Sequence, residues 1–156
     1  MIIIQLKGGL GNQMFQYALY LALKKRGREV KIDDETGFEN DKLRTPVLSG
    51  WGIEYDRATK EEIIKITDSR TDFWSRVRRK LTGRKTFRID ETSGMFDPSI
   101  LEKETAYLVG YWQSEKYFDD EDVKKQLRDE YSHNYMDTLF RADKITPDPL
   151  KHDMLR

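Results

Sequence analysis

The sequence predicts an α/β fold built on a parallel sheet, and three observations lead there. The chain opens with Ile2-Ile3-Ile4-Gln5-Leu6, a short β-branched run that reads as a buried strand. A glycine turn and an apolar segment of helical period follow it. Glu29-Val30-Lys31-Ile32-Asp33 then alternates like a second strand. Strand, helix and strand at this spacing make a βαβ unit, whose right-handed crossover sets the two strands parallel.

Each element has its own signal. Gln13 to Arg26 predicts a helix, with Leu19, Ala22 and Leu23 on one face and Lys24, Lys25 and Arg26 in the last turn. Cations there complement the negative end of the helix dipole. Gly27 stands where a left-handed cap belongs. Residues 37–51 read as a loop containing Pro46 and Gly50. Thr59-Lys60-Glu61-Glu62 is a capping box before the stripe Ile63, Ile64 and Ile66. Residues 76–88 hold seven basic residues and no acid, which predicts a solvated surface loop. Asp97-Pro98-Ser99 predicts the start of a short helix, and Thr105 to Gly110 a strand followed by a turn at Trp112-Gln113-Ser114. Val123, Leu127 and Tyr131 mark a further helix at i, i+4, i+8 spacing. Asp148-Pro149 is a cap followed by proline at the first helical position, so a last helix is expected there, with Leu150, Met154 and Leu155 on one side.

Composition narrows the function. The 156 residues fit one domain. Hydrophobic residues make up 37% and charged residues 36%. Both depart from ordinary globular values, about 45–50% and about 25%, and predict a lean core that suits part of a larger arrangement. Twenty-eight basic residues balance twenty-eight acidic ones, which argues against a dedicated nucleic-acid binder. Cysteine is absent, which removes disulfides and thiolate metal sites and suits a reducing compartment. His133 and His152 lie far apart, so no histidine metal site is expected. No apolar run approaches the length of a spanning helix or of a signal core, and the expected location is cytoplasmic.

Two blocks carry the chemistry. The first is Lys7-Gly8-Gly9-Leu10-Gly11-Asn12-Gln13-Met14-Phe15-Gln16-Tyr17-Ala18. It is not a P-loop, because Asn12 and Gln13 follow the last glycine where Lys and Ser or Thr should stand. Nor is it a full dinucleotide fingerprint, since Met14 replaces the third glycine. Gly8, Gly9 and Gly11 let backbone N–H groups approach a ligand, and Asn12 and Gln13 offer uncharged donors and acceptors suited to sugar hydroxyls or diphosphate oxygens. The plainer reading is that Asn12 caps the helix and the glycines only make the turn. The second block is Tyr107-Leu108-Val109-Gly110-Tyr111-Trp112-Gln113-Ser114-Glu115-Lys116-Tyr117-Phe118. It follows a strand end, where open α/β sheets bind ligands. Gln113 and Glu115 are the candidate site residues of this block, Lys116 is solvated, and Trp112, Tyr117 and Phe118 are expected in the core. Asp33-Asp34 ends the second strand where a nicotinamide-binding domain places its ribose-holding acid. The basic run, preceded by Phe73 and Trp74, suits an anionic membrane surface.

Together the two blocks resemble the alpha-1,2-fucosyltransferase family, the galactoside 2-L-fucosyltransferases of bacterial type. The resemblance implies the amino-terminal Rossmann-like half of a GT-B type glycosyltransferase. Residues 1–145 would form the acceptor-side domain, and residues 146–156 the start of a helix leading to a donor-binding half. The family transfers L-fucose from GDP-fucose to the 2-hydroxyl of a galactose, with inversion and without a metal or further cofactor. Its partners are therefore GDP-fucose and a galactose-terminated glycan. By this resemblance Asn12 lies near the donor diphosphate and the acceptor. A full member also carries a His-x-Arg-Arg-x-Asp element. The only Arg-Arg pair here, Arg78-Arg79, has Arg76 where that His would be, so residues 1–156 alone are expected to be inactive. Contact with the inner membrane surface through Arg76 to Arg88 and self-association through an exposed apolar face are further expectations. A glycan- or partner-binding module without turnover and a nicotinamide-binding domain are the alternatives.

Overall fold

The computed structural model describes the backbone of residues 1–142 and the side chains of residues 1–132. The helix expected after Asp148-Pro149, the domain boundary expected at residue 145 and both histidine side chains lie outside the described residues. The expected α/β class is what the structure shows. Four strands, β1 (Ile2–Gln5), β2 (Val30–Asp33), β3 (Arg88–Asp90) and β4 (Ala106–Val109), form one sheet in the order β2-β1-β4-β3. Every neighbouring pair is parallel. Five helices accompany it among the described residues: α1 (Leu10–Lys25), α2 (Lys60–Thr67), α3 (Phe73–Thr82), the single turn α4 (Ser99–Glu102) and α5 (Glu121–Ala142).

Both faces of the central strands are covered, which is why β1 is apolar throughout rather than alternating. Ile2, Ile4 and Leu6 join Ala106, Leu108, Val30 and Ile32 in the main core, with Leu19 and Leu23 of α1, Ile100, Trp112 and Val123. Ile3, Tyr107 and Val109 point the other way, against Ile66 of α2. The helix α1 is buried almost continuously from Gln16 to Leu23, because α5 packs on the side that the sheet leaves open.

That helix begins three residues earlier than the sequence suggests. Gly9 is its N-cap without any side-chain capping bond, and its carbonyl accepts the first intrahelical bond from the Gln13 amide at 3.1 Å. Asn12 therefore lies inside the first turn and does not cap it. The other end closes as the sequence predicts. Gly27 adopts φ +74°, its amide donates to the Lys24 carbonyl at 2.9 Å, and the Arg28 amide donates to the Leu23 carbonyl at 3.1 Å. This is a Schellman closure.

The solvated loop expected over residues 76–88 is replaced by α3, a connection and β3. Asp72 caps α3 by accepting the Ser75 amide at 3.0 Å, and arginine, lysine and leucine are good helix formers. β3 escapes sequence reading because Arg88-Ile89-Asp90 holds a single apolar residue. Pairing with β4 makes it a strand, and its charged side chains suit an edge.

The capping box of α2 is present in both directions. Thr59 Oγ1 accepts from the Glu62 amide, and the Thr59 amide donates to Glu62 Oε2 at 2.8 Å. The other carboxylate oxygen of Glu62 meets Lys31 Nζ at 2.5 Å, which ties the helix start to β2. Thr59→Ala should lower unfolding free energy by about 1 kcal/mol. Urea denaturation checks this, with an unchanged midpoint as the contrary result.

Candidate functional site

The sheet order places a crevice between the carboxyl ends of β1 and β4. The chain leaves β1 toward β2 on one side, while β4 has β3 on the other, so the connections diverge at this point. Open α/β sheets bind ligands at such a divergence. The loop Lys7-Gly8-Gly9 rises from β1 and the loop Gly110-Tyr111-Trp112-Gln113 from β4.

A buried glutamine joins the two loops. Gln16, fully buried in α1, donates from Nε2 to the Gly110 carbonyl at 2.8 Å and to the Lys7 carbonyl at 3.3 Å. Its Oε1 accepts from the Lys7 amide at 3.1 Å. From the far side Glu91, just past β3, holds the second loop. Its Oε2 accepts from the Tyr111 amide at 2.7 Å and the Trp112 amide at 3.1 Å. Trp112 takes the left-handed conformation, φ +55°, a strained state for a bulky residue. Its ring is buried edge-on to Tyr117, with centroids 5.8 Å apart, and this packing holds the residue in that state.

Two glycines are required by this construction. A Cβ on Gly110 would stand 2.5 Å from the Glu91 Cβ, and one on Gly8 (φ +79°) would stand 2.4 Å from Asn12 Nδ2. Gly9 and Gly11 differ: a Cβ on either meets no protein atom within 4 Å. Protein packing therefore gives no reason for glycine at these two positions, whereas approach of a ligand would.

The outward rim brings together residues about one hundred positions apart. Gln113 Nε2 donates to Asn12 Oδ1 at 2.6 Å. This leaves Asn12 Nδ2 and Gln113 Oε1 without partners among the described residues, as one donor site and one acceptor site. Lys7 Nζ stands 5.4 Å from the centroid of the Tyr111 ring, and that tyrosine is 37% exposed. The rim thus offers an aromatic ring, one cation, and an amide pair able to donate and accept. This set suits a polyhydroxylated ring, with one cation for a nearby anion.

Other expected site residues stand elsewhere. Gln13 is fully buried, and its amide is committed to protein. Nε2 donates to the Gly8 carbonyl at 2.9 Å and the Thr45 carbonyl at 3.0 Å, while Oε1 accepts from the Val47 amide at 2.9 Å. It fixes the glycine turn to the segment around Pro46 and has nothing left for a ligand. Glu115 is exposed at the head of the 3-10 turn Glu115–Phe118 and makes no hydrogen bond to the rim among the described residues. Trp112 and Tyr117 are buried, as expected, and Phe118 is half-buried against the core.

Asp33 is likewise committed. Its Oδ1 accepts from the Glu35 and Thr36 amides at 3.1 and 3.0 Å, and Oδ2 from the Tyr107 hydroxyl at 2.6 Å and from Thr36 Oγ1. Burial, and then the bond to this carboxylate, push the Tyr107 hydroxyl far above its ordinary pKa. Asp34 accepts from Tyr55 at 2.8 Å and pairs with Arg57 at 2.9 Å. Both oxygens of Asp33 are thus engaged, whereas both contacts of Asp34 fall on Oδ2. Among the described residues no group of His, Asp or Glu side chains is arranged to hold a metal ion, and no helix is long and apolar enough to cross a membrane.

Gln16 and Glu91 carry the site's geometry, and sequence reasoning did not single them out. Gln16 left a signal: a polar amide one turn after Gln13, just before the apolar run Tyr17-Ala18-Leu19. Glu91 left none. No known family, no curated protein and no solved structure matches this chain.

Gln16→Leu keeps the volume but strands the Lys7 amide and the Gly110 carbonyl. Each buried unsatisfied group costs about 1–3 kcal/mol, so the variant should lose about 3 kcal/mol in urea denaturation. The Lys7 amide should also become fast-exchanging in hydrogen exchange. Unchanged protection at Lys7 would contradict the assigned bond.

Proposed function

We propose that the crevice between β1 and β4 is the acceptor-side half of a sugar-transfer site, of the alpha-1,2-fucosyltransferase type that the two sequence blocks resemble. The observation that carries this reading is the bond from Gln113 to Asn12. It brings the two blocks of the resemblance to one rim, at the position where an α/β sheet binds ligands. In this reading the domain is the Rossmann-like half of a GT-B type enzyme. The Tyr111 ring stacks on the apolar face of a terminal galactose. Asn12 and Gln113 bind its hydroxyls, and Lys7 faces the anionic side of the donor.

The reaction breaks the bond between the fucose anomeric carbon and the diphosphate oxygen, and the electron pair leaves with GDP. The galactose 2-hydroxyl oxygen bonds to that carbon from the opposite face, and its proton passes to a base. Departure of the diphosphate needs donors and cations that strengthen in the transition state. Lys7 is the one cation that the rim supplies among the described residues, and one oxygen of Glu91 is already holding two amides. The remaining diphosphate cations therefore belong to a donor-side half. The nicotinamide alternative is weakened, because both oxygens of Asp33, the acid that ends β2, are held by Glu35, Thr36 and Tyr107.

Calorimetric titration with a β-galactoside tests the reading. The chain should bind it saturably, without transferring fucose from GDP-fucose. Asn12→Ala and Gln113→Ala should each weaken binding about fivefold, corresponding to about 1 kcal/mol per hydrogen bond. Absence of saturable galactoside binding would overturn the reading, as would unweakened, wild-type affinity in both variants. A thermal shift with NAD in place of galactoside would favour the nicotinamide domain.

A further inference from the structure

The helix α3 is amphipathic with its faces reversed. At 100° per residue, Phe73, Val77, Leu81 and Trp74 fall within one arc of about 100°. In a globular domain such an arc normally faces the core. Here Phe73 is 70% exposed, Trp74 77% and Leu81 79%, and no residue of α3 is buried. The helix is held instead by its basic side. Arg78 pairs with the Asp68 carboxylate, and Arg79 donates to the Asp68 and Arg70 carbonyls at 3.2 and 2.6 Å. After the helix, Arg84 donates to the Thr67 carbonyl at 3.1 Å, and the Lys85 amide donates to Asp68 at 2.9 Å. Polar bonds on Asp68 thus turn the apolar arc outward.

The surround of that arc is cationic. Arg76 and Lys80 border it on the Phe73 side, Lys85 follows it, and none of the three makes an ion pair among the described residues. Phe87, at the end of the connection, is 52% exposed. Its amide donates to the Ile66 carbonyl at 3.0 Å, so the patch continues from α3 toward the start of β3.

We infer that α3 and the connection to β3 form a docking surface for an anionic lipid bilayer. The bilayer is the occupant because it alone satisfies both halves of the patch. Phe73, Trp74 and Leu81 gain by entering the acyl boundary, and tryptophan favours the headgroup level. Arg76, Lys80 and Lys85 gain from acidic headgroups. A nucleic acid would leave Leu81 and Phe73 in water. A second copy of this face would bring the cations of two chains together. The inference stands independently of the sugar-transfer reading. α3 lies in the crossover between α2 and the start of β3, at the amino-terminal end of the strands, whereas the crevice opens at their carboxyl ends. Docking therefore leaves the crevice uncovered.

Co-flotation of the full chain with vesicles tests it. The chain should float with mixed phosphatidylcholine–phosphatidylglycerol vesicles and stay behind with pure phosphatidylcholine. Trp74 emission should shift to the blue on binding and lose that shift in Trp74→Ser. Trp74→Ser with Leu81→Ser, and separately Arg76→Glu with Lys80→Glu, should each reduce vesicle binding at least about tenfold. Both pairs are exposed, and circular dichroism should show the native spectrum. Galactoside affinity should be unchanged in both, which separates this surface from the crevice. Failure to bind anionic vesicles would overturn the inference, as would equal binding to neutral ones. So would binding of single-stranded RNA that the same substitutions abolish while vesicles remain unbound.

Discussion

The amide of Gln16 is the interaction on which the crevice depends. One side chain, sealed inside α1, binds the backbone of Lys7 at the end of β1 and of Gly110 at the end of β4. Parallel strands fix each other only along the ladder. Beyond the last ladder bond their loops would separate, because no main-chain pairing continues there. Gln16 supplies the missing pairing. The geometry at the rim follows from it: Asn12 one turn earlier on the same helix, Gln113 three residues beyond Gly110, and 2.6 Å between their side chains. A neutral amide suits the task, because it donates and accepts at once and brings no charge into a buried position.

Around this clamp the structure spends local order on the loops. Gln13 repeats the device one turn earlier, binding the glycine turn to the segment around Pro46. Glu91 holds two consecutive amides while Trp112 keeps a left-handed backbone under a buried indole. Strain of this kind costs about 1–3 kcal/mol and persists where the surroundings over-determine it. Here it lies beside the exposed Tyr111 and Gln113. Rigid loops that present exposed polar groups are what a binding rim needs, since little order remains to be gained when a ligand arrives.

Much of the fold was legible because its signals are local. The apolar run of β1, the glycine after Arg26, the capping box at Thr59 and the i, i+4 pattern from Val123 each describe a neighbourhood of a few residues, and each appears where expected. The failures are of two kinds. β3 exists through pairing with β4, and a three-residue stretch with one apolar side chain cannot announce a partner some twenty residues away. α3 reads as a loop when its charge is counted, because its four cations, with three more just beyond it, mask a four-residue apolar arc. At the site, block positions were legible but side-chain directions were not. Asn12 and Gln113 reach the rim, whereas Gln13, next to Asn12, turns inward because adjacent helical residues point about 100° apart. A Cβ on Gly9 or Gly11 would meet open space, and Gly8 is explained by its own backbone.

We propose that two segments, one around residues 7–12 and one around residues 110–113, act as a single sugar-binding rim. An amide-resolved NMR titration with a methyl β-galactoside tests it most directly. The amides of Gly8, Gly9, Gly11 and Asn12 should shift together with those of Tyr111, Trp112 and Gln113, along one saturation curve, while those of α3 stay still. Shifts confined to one of the two segments, or centred on any other part of the sheet, would contradict it.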